Sequence, residues 1–199
     1  MRKILFTILL GLLTIGSYAQ EIDTSVKTSE IKTLIMNHIY YKDPNPTWQE
    51  DADKVNIFVK NILSKEYKEA EKDKLRADAF ELLYENTQCM FEDMVDVRRM
   101  AKRRAMCYLA IALLSDNYRY AAFIEDARNN LSGLQYMDKY KALIDIVELL
   151  MILDDDTNYS SEKNRRISDY VTSFNEMKPE IEDNAFVNDV MNLFKINEK

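Results

Sequence analysis

The chain has 199 residues, 47% of them hydrophobic, with three Gly, three Pro, two Cys and a formal net charge of −7. So little Gly and Pro withholds the turns of an all-β sandwich or barrel. It also excludes a glycine-rich phosphate loop, a dinucleotide fingerprint and a G-x-S-x-G elbow, each of which needs closely spaced glycines. The expected fold class is all-α: an antiparallel helical bundle or irregular helical array of seven to eight helices, with no β-sheet.

The chain opens Met1-Arg2-Lys3, and residues 4–15 then run apolar except at Thr7, Gly11 and Thr14. Ser17-Tyr18-Ala19 places small residues at the −3 and −1 positions of a cleavage site. Residues 1–19 therefore read as a secretory signal peptide cut after Ala19. The apolar run is too short to span a bilayer, which takes roughly 20 residues. No Cys stands at the cut, so no lipid anchor is expected, and no later segment is apolar enough for a stable membrane anchor. The expected location is exported, periplasmic or secreted. Loss of Arg2 and Lys3 leaves 25 basic against 34 acidic residues, a formal charge of −9. An acidic exported domain suits neither nucleic acid nor an anionic membrane surface.

Residues 20–28 lack periodicity and read as a flexible lead to a single helical domain over 29–199. Ile31, Leu34, Ile35, His38 and Ile39 recur at helical spacing and predict a first helix over 29–41. Asp43-Pro44-Asn45-Pro46 ends it, because a proline cannot continue a helix. Thr47 and Glu50 suggest a capping box for a second helix, from Trp48 to about Lys68. The charged stretch 69–74 suggests a bend. A third helix follows over about 74–85, and a fourth over about 88–115. The fourth is apolar nearly all round from Ala105 to Leu114, the pattern of a central helix. Asp116-Asn117 starts a fifth, which Gly133 stops in the αL conformation. The sixth, about 134–153, is the second candidate for the core. Loop 154–158 leads to a seventh over about 161–177, and Pro179 suggests N1 of an eighth.

Several residues invite a functional reading. Arg98 and Lys102 project into the arc of Phe91, Met94, Val95, Ala105 and Leu109, whereas Arg99, Arg103 and Arg104 read as a solvated face braced by Asp93 and Asp96. A charge on an apolar face must pair, snorkel or bind something. Its partner would be Asp145 or Glu148, an anionic ligand, or a bend that re-aims it. Tyr40, Tyr41 and Trp48 surround the proline loop. They would either contact a partner or staple the first two helices together.

Asp154-x-Asp156-x-Asn158 has the first three positions of a Ca²⁺ loop. Tyr159 and Arg165 replace its Gly and its bidentate Glu, so the EF-hand reading fails. His38 is the single histidine, and neither H-E-x-x-H nor Glu-x-x-His occurs. Neither a metal nor a cofactor is expected. On a continuous fourth helix Cys89 and Cys107 would stand about 27 Å apart at 1.5 Å per residue. A disulfide needs Cα atoms within about 7 Å, so both thiols are expected to be unpaired.

The leading functional expectation is an exported, non-enzymatic helical domain with a structural or interaction role, binding a protein partner or itself. The alternative is a small anionic ligand held near Arg98 and Lys102. A third reading is a metal-independent hydrolase or lyase using Asp145 or Glu148. It would require one of those carboxylates in a concave pocket, facing a second titratable group.

Overall fold

The computed structural model describes residues 24–43, 45–64, 67–87 and 94–196. The expected leader lies outside them, as do Pro44, Cys89, Phe91 and Asp93. The described residues form eight α-helices and no strand. These are α1 (Thr28–His38), α2 (Pro46–Ser64), α3 (Glu69–Glu85), α4 (Met94–Leu113), α5 (Tyr120–Leu131), α6 (Asp138–Asp154), α7 (Ser160–Met177) and α8 (Asn184–Leu193). Two 3₁₀ turns, Asn117–Arg119 and Lys178–Glu180, complete the helical structure. The all-α expectation is met. Among the described residues, no helix is long and apolar enough to cross a membrane.

The two helices that read as central are central. α4 packs against α2, α3, α5 and α6, and α6 against α1, α4, α5 and α7. A helix apolar on most sides can be satisfied only when other helices surround it. α8 closes the array on α1. One continuous core runs from Ile31 to Ile196. Phe174, Phe186 and Phe194 are fully buried and bind α7 to the C-terminal segment. His38 belongs to this core edge. Its ring meets Phe186 edge-on at 5.3 Å, and its Nε2 lies 2.6 Å from Asp189 Oδ2, joining α1 to α8.

Element boundaries depart from expectation in several places. α2 starts at Pro46, not Trp48, and Asn45 takes the cap from Thr47: its Oδ1 accepts from the Thr47 N–H at 3.0 Å. A proline suits this first turn, where its missing N–H would have had no helical acceptor. Residues 69–74 form the start of α3 rather than a bend. Glu69 and Glu71 sit in its first turn, where the helix dipole favours negative charge. Residues 134–137 are not helical, and α6 begins at Asp138, after Tyr136 has turned to φ 61. Pro179 lies in the 3₁₀ turn rather than at N1 of α8. α8 is capped instead by Asp183, whose carboxylate accepts from the Phe186 N–H at 3.0 Å. α1 ends at His38 rather than at 41, which leaves Tyr40 and Tyr41 outside any helix. Val26, in the lead, packs against the core.

Candidate functional site

The α1–α2 connection drives a carboxylate into the molecule. Asp43 is buried, its side chain shut off from solvent. Arg99 Nε lies 2.8 Å from its Oδ2 and Arg103 Nη2 3.3 Å from the same atom. Tyr41 donates its hydroxyl to Oδ2 at 3.2 Å, and the Asn45 N–H donates to Oδ1 at 2.9 Å. Both guanidiniums lie against the Trp48 ring, at 5.2 and 5.5 Å from its centroid. Arg103 also donates to the Trp48 carbonyl at 2.6 Å, and Arg99 reaches Asp96 at 2.7 Å.

This corrects the solvated-face reading of Arg99 and Arg103. Arg103 is 1% exposed and Arg99 is buried with it. A charge tolerates burial when it is paired and hydrogen-bonded, and Asp43 supplies the pair. A carboxylate with so many donors is engaged as a strut and has no free oxygen for proton transfer. The loop aromatics are corrected in part as well. Tyr41 is buried, its ring edge-on to Tyr140 at 6.2 Å. Burial, with the Asp43 charge adding, pushes its phenol up to about 12. Trp48 is half-buried beneath the arginines. Tyr40 stays exposed, donating to Asp53 at 3.0 Å.

Arg98 and Lys102 are half-buried on the adjoining face of α4, one turn apart. Lys102 Nζ sits between two rings, 5.0 Å from the Tyr41 centroid and 5.1 Å from that of Tyr140. Burial pulls its pKa below the ordinary lysine value, and the Arg98 charge adds to the effect. The Arg98 guanidinium lies 5.4 Å from the Tyr136 centroid, while its Nε is buried without an acceptor among the described residues. Tyr136 is 66% exposed and holds the left-handed φ of 61. No described carboxylate forms an ion pair with either cation.

Asp145 and Glu148 do not join them. Both turn to Arg128 on α5: Nη2 and Nε donate to Asp145 Oδ1 at 2.8 and 3.2 Å, and Nη2 also donates to Glu148 Oε2. The carboxylates are one helical turn apart on α6, and Arg128 crosses to them from the neighbouring helix. They line a cleft of about 190 Å³ between α5, α6 and α7, with Arg166, Asp169 and Tyr170. Both carboxylates are therefore in a concave setting. Burial raises the Asp145 pKa above its ordinary value, against the pull of Arg128. Tyr170 is 5% exposed, and its hydroxyl is buried with no hydrogen-bond partner among the described residues.

The acidic loop is occupied by local contacts. Asp154 pairs with Lys32 at 3.2 Å, and Asp155 accepts from the Thr157 N–H and hydroxyl at 2.9 and 2.6 Å. Asn158 donates to the Ile152 carbonyl at 3.1 Å. Cys107 is a buried free thiol, while Cys89 lies outside the described residues.

Sequence reasoning missed Asp43, Arg128 and Tyr170. Asp43 read only as a turn residue before proline. Nothing local marks Arg128 or Tyr170, because each matters through a residue on another helix. The chain matches no family model, and neither a curated protein nor a solved structure matches it.

Proposed function

We propose that this is an exported, non-enzymatic interaction domain whose α4 face, at Arg98 and Lys102, receives a carboxylate-bearing segment of a partner protein. The observation that carries this reading is a pair of cations that form no ion pair among the described residues. Arg98 and Lys102 share one face, and among the described residues they meet tyrosine rings rather than acids. Their nearest cationic neighbours on α4, Arg99 and Arg103, each have Asp43. A carboxylate brought by a partner would supply the counter-charge that neither cation has among the described residues. Tyr136 stands over Arg98, exposed and in a conformation unusual for a side-chain-bearing residue. Tyr and Arg are the types that dominate binding energy at interfaces.

The test is affinity capture from the native compartment, followed by identification of what is retained. The unmodified chain is compared with Arg98→Ser and Tyr136→Ser. Retention of one acidic partner by the unmodified chain and its loss in both variants is expected. Equal capture by all three, or no capture by a chain that is monomeric, overturns the reading. A thermal-shift series with phosphates, carboxylates and acidic sugars separates the small-ligand alternative. A small anion at 100 times its Kd would stabilise the fold by about 2.7 kcal/mol.

A further inference from the structure

We propose that the cleft between α5, α6 and α7 is a second binding site, for a small organic cation bearing N–H donors: a primary amine or a guanidine held by Asp145, Glu148 and Tyr170. The site is distinct from the α4 face and does not rest on the function proposed for it.

Three features converge. The first is charge. Asp145, Glu148 and Asp169 line the cleft with Arg128 and Arg166. Behind these stand Glu125 on Arg128, Glu162 on Arg166, and Arg165 between Glu162 and Asp169. That makes five carboxylates against three guanidiniums, so the cleft favours a cation over an anion.

The second feature is open acceptors. Arg128 takes Oδ1 of Asp145 and Oε2 of Glu148. The other oxygen of each carboxylate has no protein partner among the described residues. The third is the Tyr170 hydroxyl. Tyr170 is one of the lining residues, and its hydroxyl is buried, has no hydrogen-bond partner among the described residues and lies within the field of Asp145. Buried hydroxyls are nearly always hydrogen-bonded, and no described residue supplies the partner for this one.

An ammonium or guanidinium offers several N–H donors to two carboxylate oxygens and a phenol oxygen at once. A cleft of about 190 Å³ is somewhat larger than the cavity of about 150 Å³ that holds benzene. The size suits a ligand of roughly six to ten non-hydrogen atoms.

The experiment is calorimetric titration of the purified chain, at an ionic strength of about 0.15 M to screen its general acidity. The probes are 1,4-diaminobutane, tetramethylammonium, which lacks N–H donors, and glucose. Saturable binding of diaminobutane alone is expected. Its affinity falls about tenfold or more in Tyr170→Phe, because hydrogen bonds involving a charged group are the stronger ones. It also falls in Asp145→Asn. Tyr170→Phe removes a hydroxyl that bonds no described residue, so its melting temperature holds even if Asp145→Asn, which disturbs Arg128, does not fold. Three outcomes overturn the proposal: no saturable diaminobutane binding, equal binding of tetramethylammonium or glucose, or undiminished affinity in a folded Tyr170→Phe.

Discussion

Asp43 and Arg103 stand sixty positions apart in the sequence and meet at 3.3 Å in the interior. With Arg99 on the same oxygen, the contact fastens the α1–α2 connection to the central helix. Removing the acid leaves the buried Arg103 with no counter-charge among the described residues and Arg99 with Asp96 alone. Breaking a buried pair in this way costs about 3–5 kcal/mol. Asp43→Ala should lower the unfolding free energy by that amount in urea titrations. Arg103→Met should cost less, since Arg99 still neutralises Asp43. The reverse ranking would show that the Trp48 carbonyl, not Asp43, is what Arg103 chiefly serves.

Gly133 holds φ +71, and a Cβ placed there would meet nothing within 4 Å. The cost of a side chain is thus confined to the backbone, about 1–2 kcal/mol for an L-residue in the left-handed region. Gly133→Ala should destabilise the fold by that much, and Gly133→Asn by less. A loss well above this range in thermal unfolding would mean that the α5–α6 turn is packed against something unaccounted for.

Burial pushes the Cys107 thiol up to about 12. The thiolate is the reactive form, so at pH 8 the native thiol should resist alkylation. In a Cys89→Ser background, mass spectrometry should find Cys107 unmodified by iodoacetamide until denaturant is added. Rapid native labelling would mean that α4 opens on the timescale of the reaction.

Glu162 is partly exposed, and hydrogen bonds from Arg165 first, and from Arg166, hold its carboxyl down at about 2. A depressed folded value means that the group stabilises the fold at neutral pH. Its contribution should disappear as pH falls from its ordinary 4.5 toward about 2. NMR titration of the side-chain carboxyl should show the low midpoint, and added salt should raise it, because an exposed pair is screened. Asp145 carries the opposite sign. Its carboxyl is raised by burial, so it favours the folded state in acid and loses that advantage as pH rises through its folded value. Asp145→Asn should remove that component from the pH profile of stability.

Much of the architecture was legible in advance because helices announce themselves locally. Ile31, Leu34 and Ile35 repeat at the helical period and are buried on one stripe of α1. The boundaries that went astray were those with two local solutions. Asn45 and Thr47 are both good caps, and a charged run such as 69–74 serves a bend or a first turn equally well. The difference lay in what the neighbouring segments packed against.

Scarcity of glycine and the 3.6-residue period were enough to specify an all-α chain, two central helices and one αL stop at Gly133. They could not say which arginines of α4 face inward. Arg98 and Lys102 pointed toward an apolar arc, yet Arg99 and Arg103 are the ones buried. A helix surrounded on every side has no single inner face. Each direction takes its polarity from whatever the rest of the chain brings to it. The α1–α2 connection brought Asp43 and Trp48 to one side, α6 and its preceding loop brought Tyr140 and Tyr136 to the other, and Arg128 on α5 drew Asp145 and Glu148 away from both. Ion pairs act over a few ångströms between residues far apart in sequence, so their choice of partner exists only once the helices have packed.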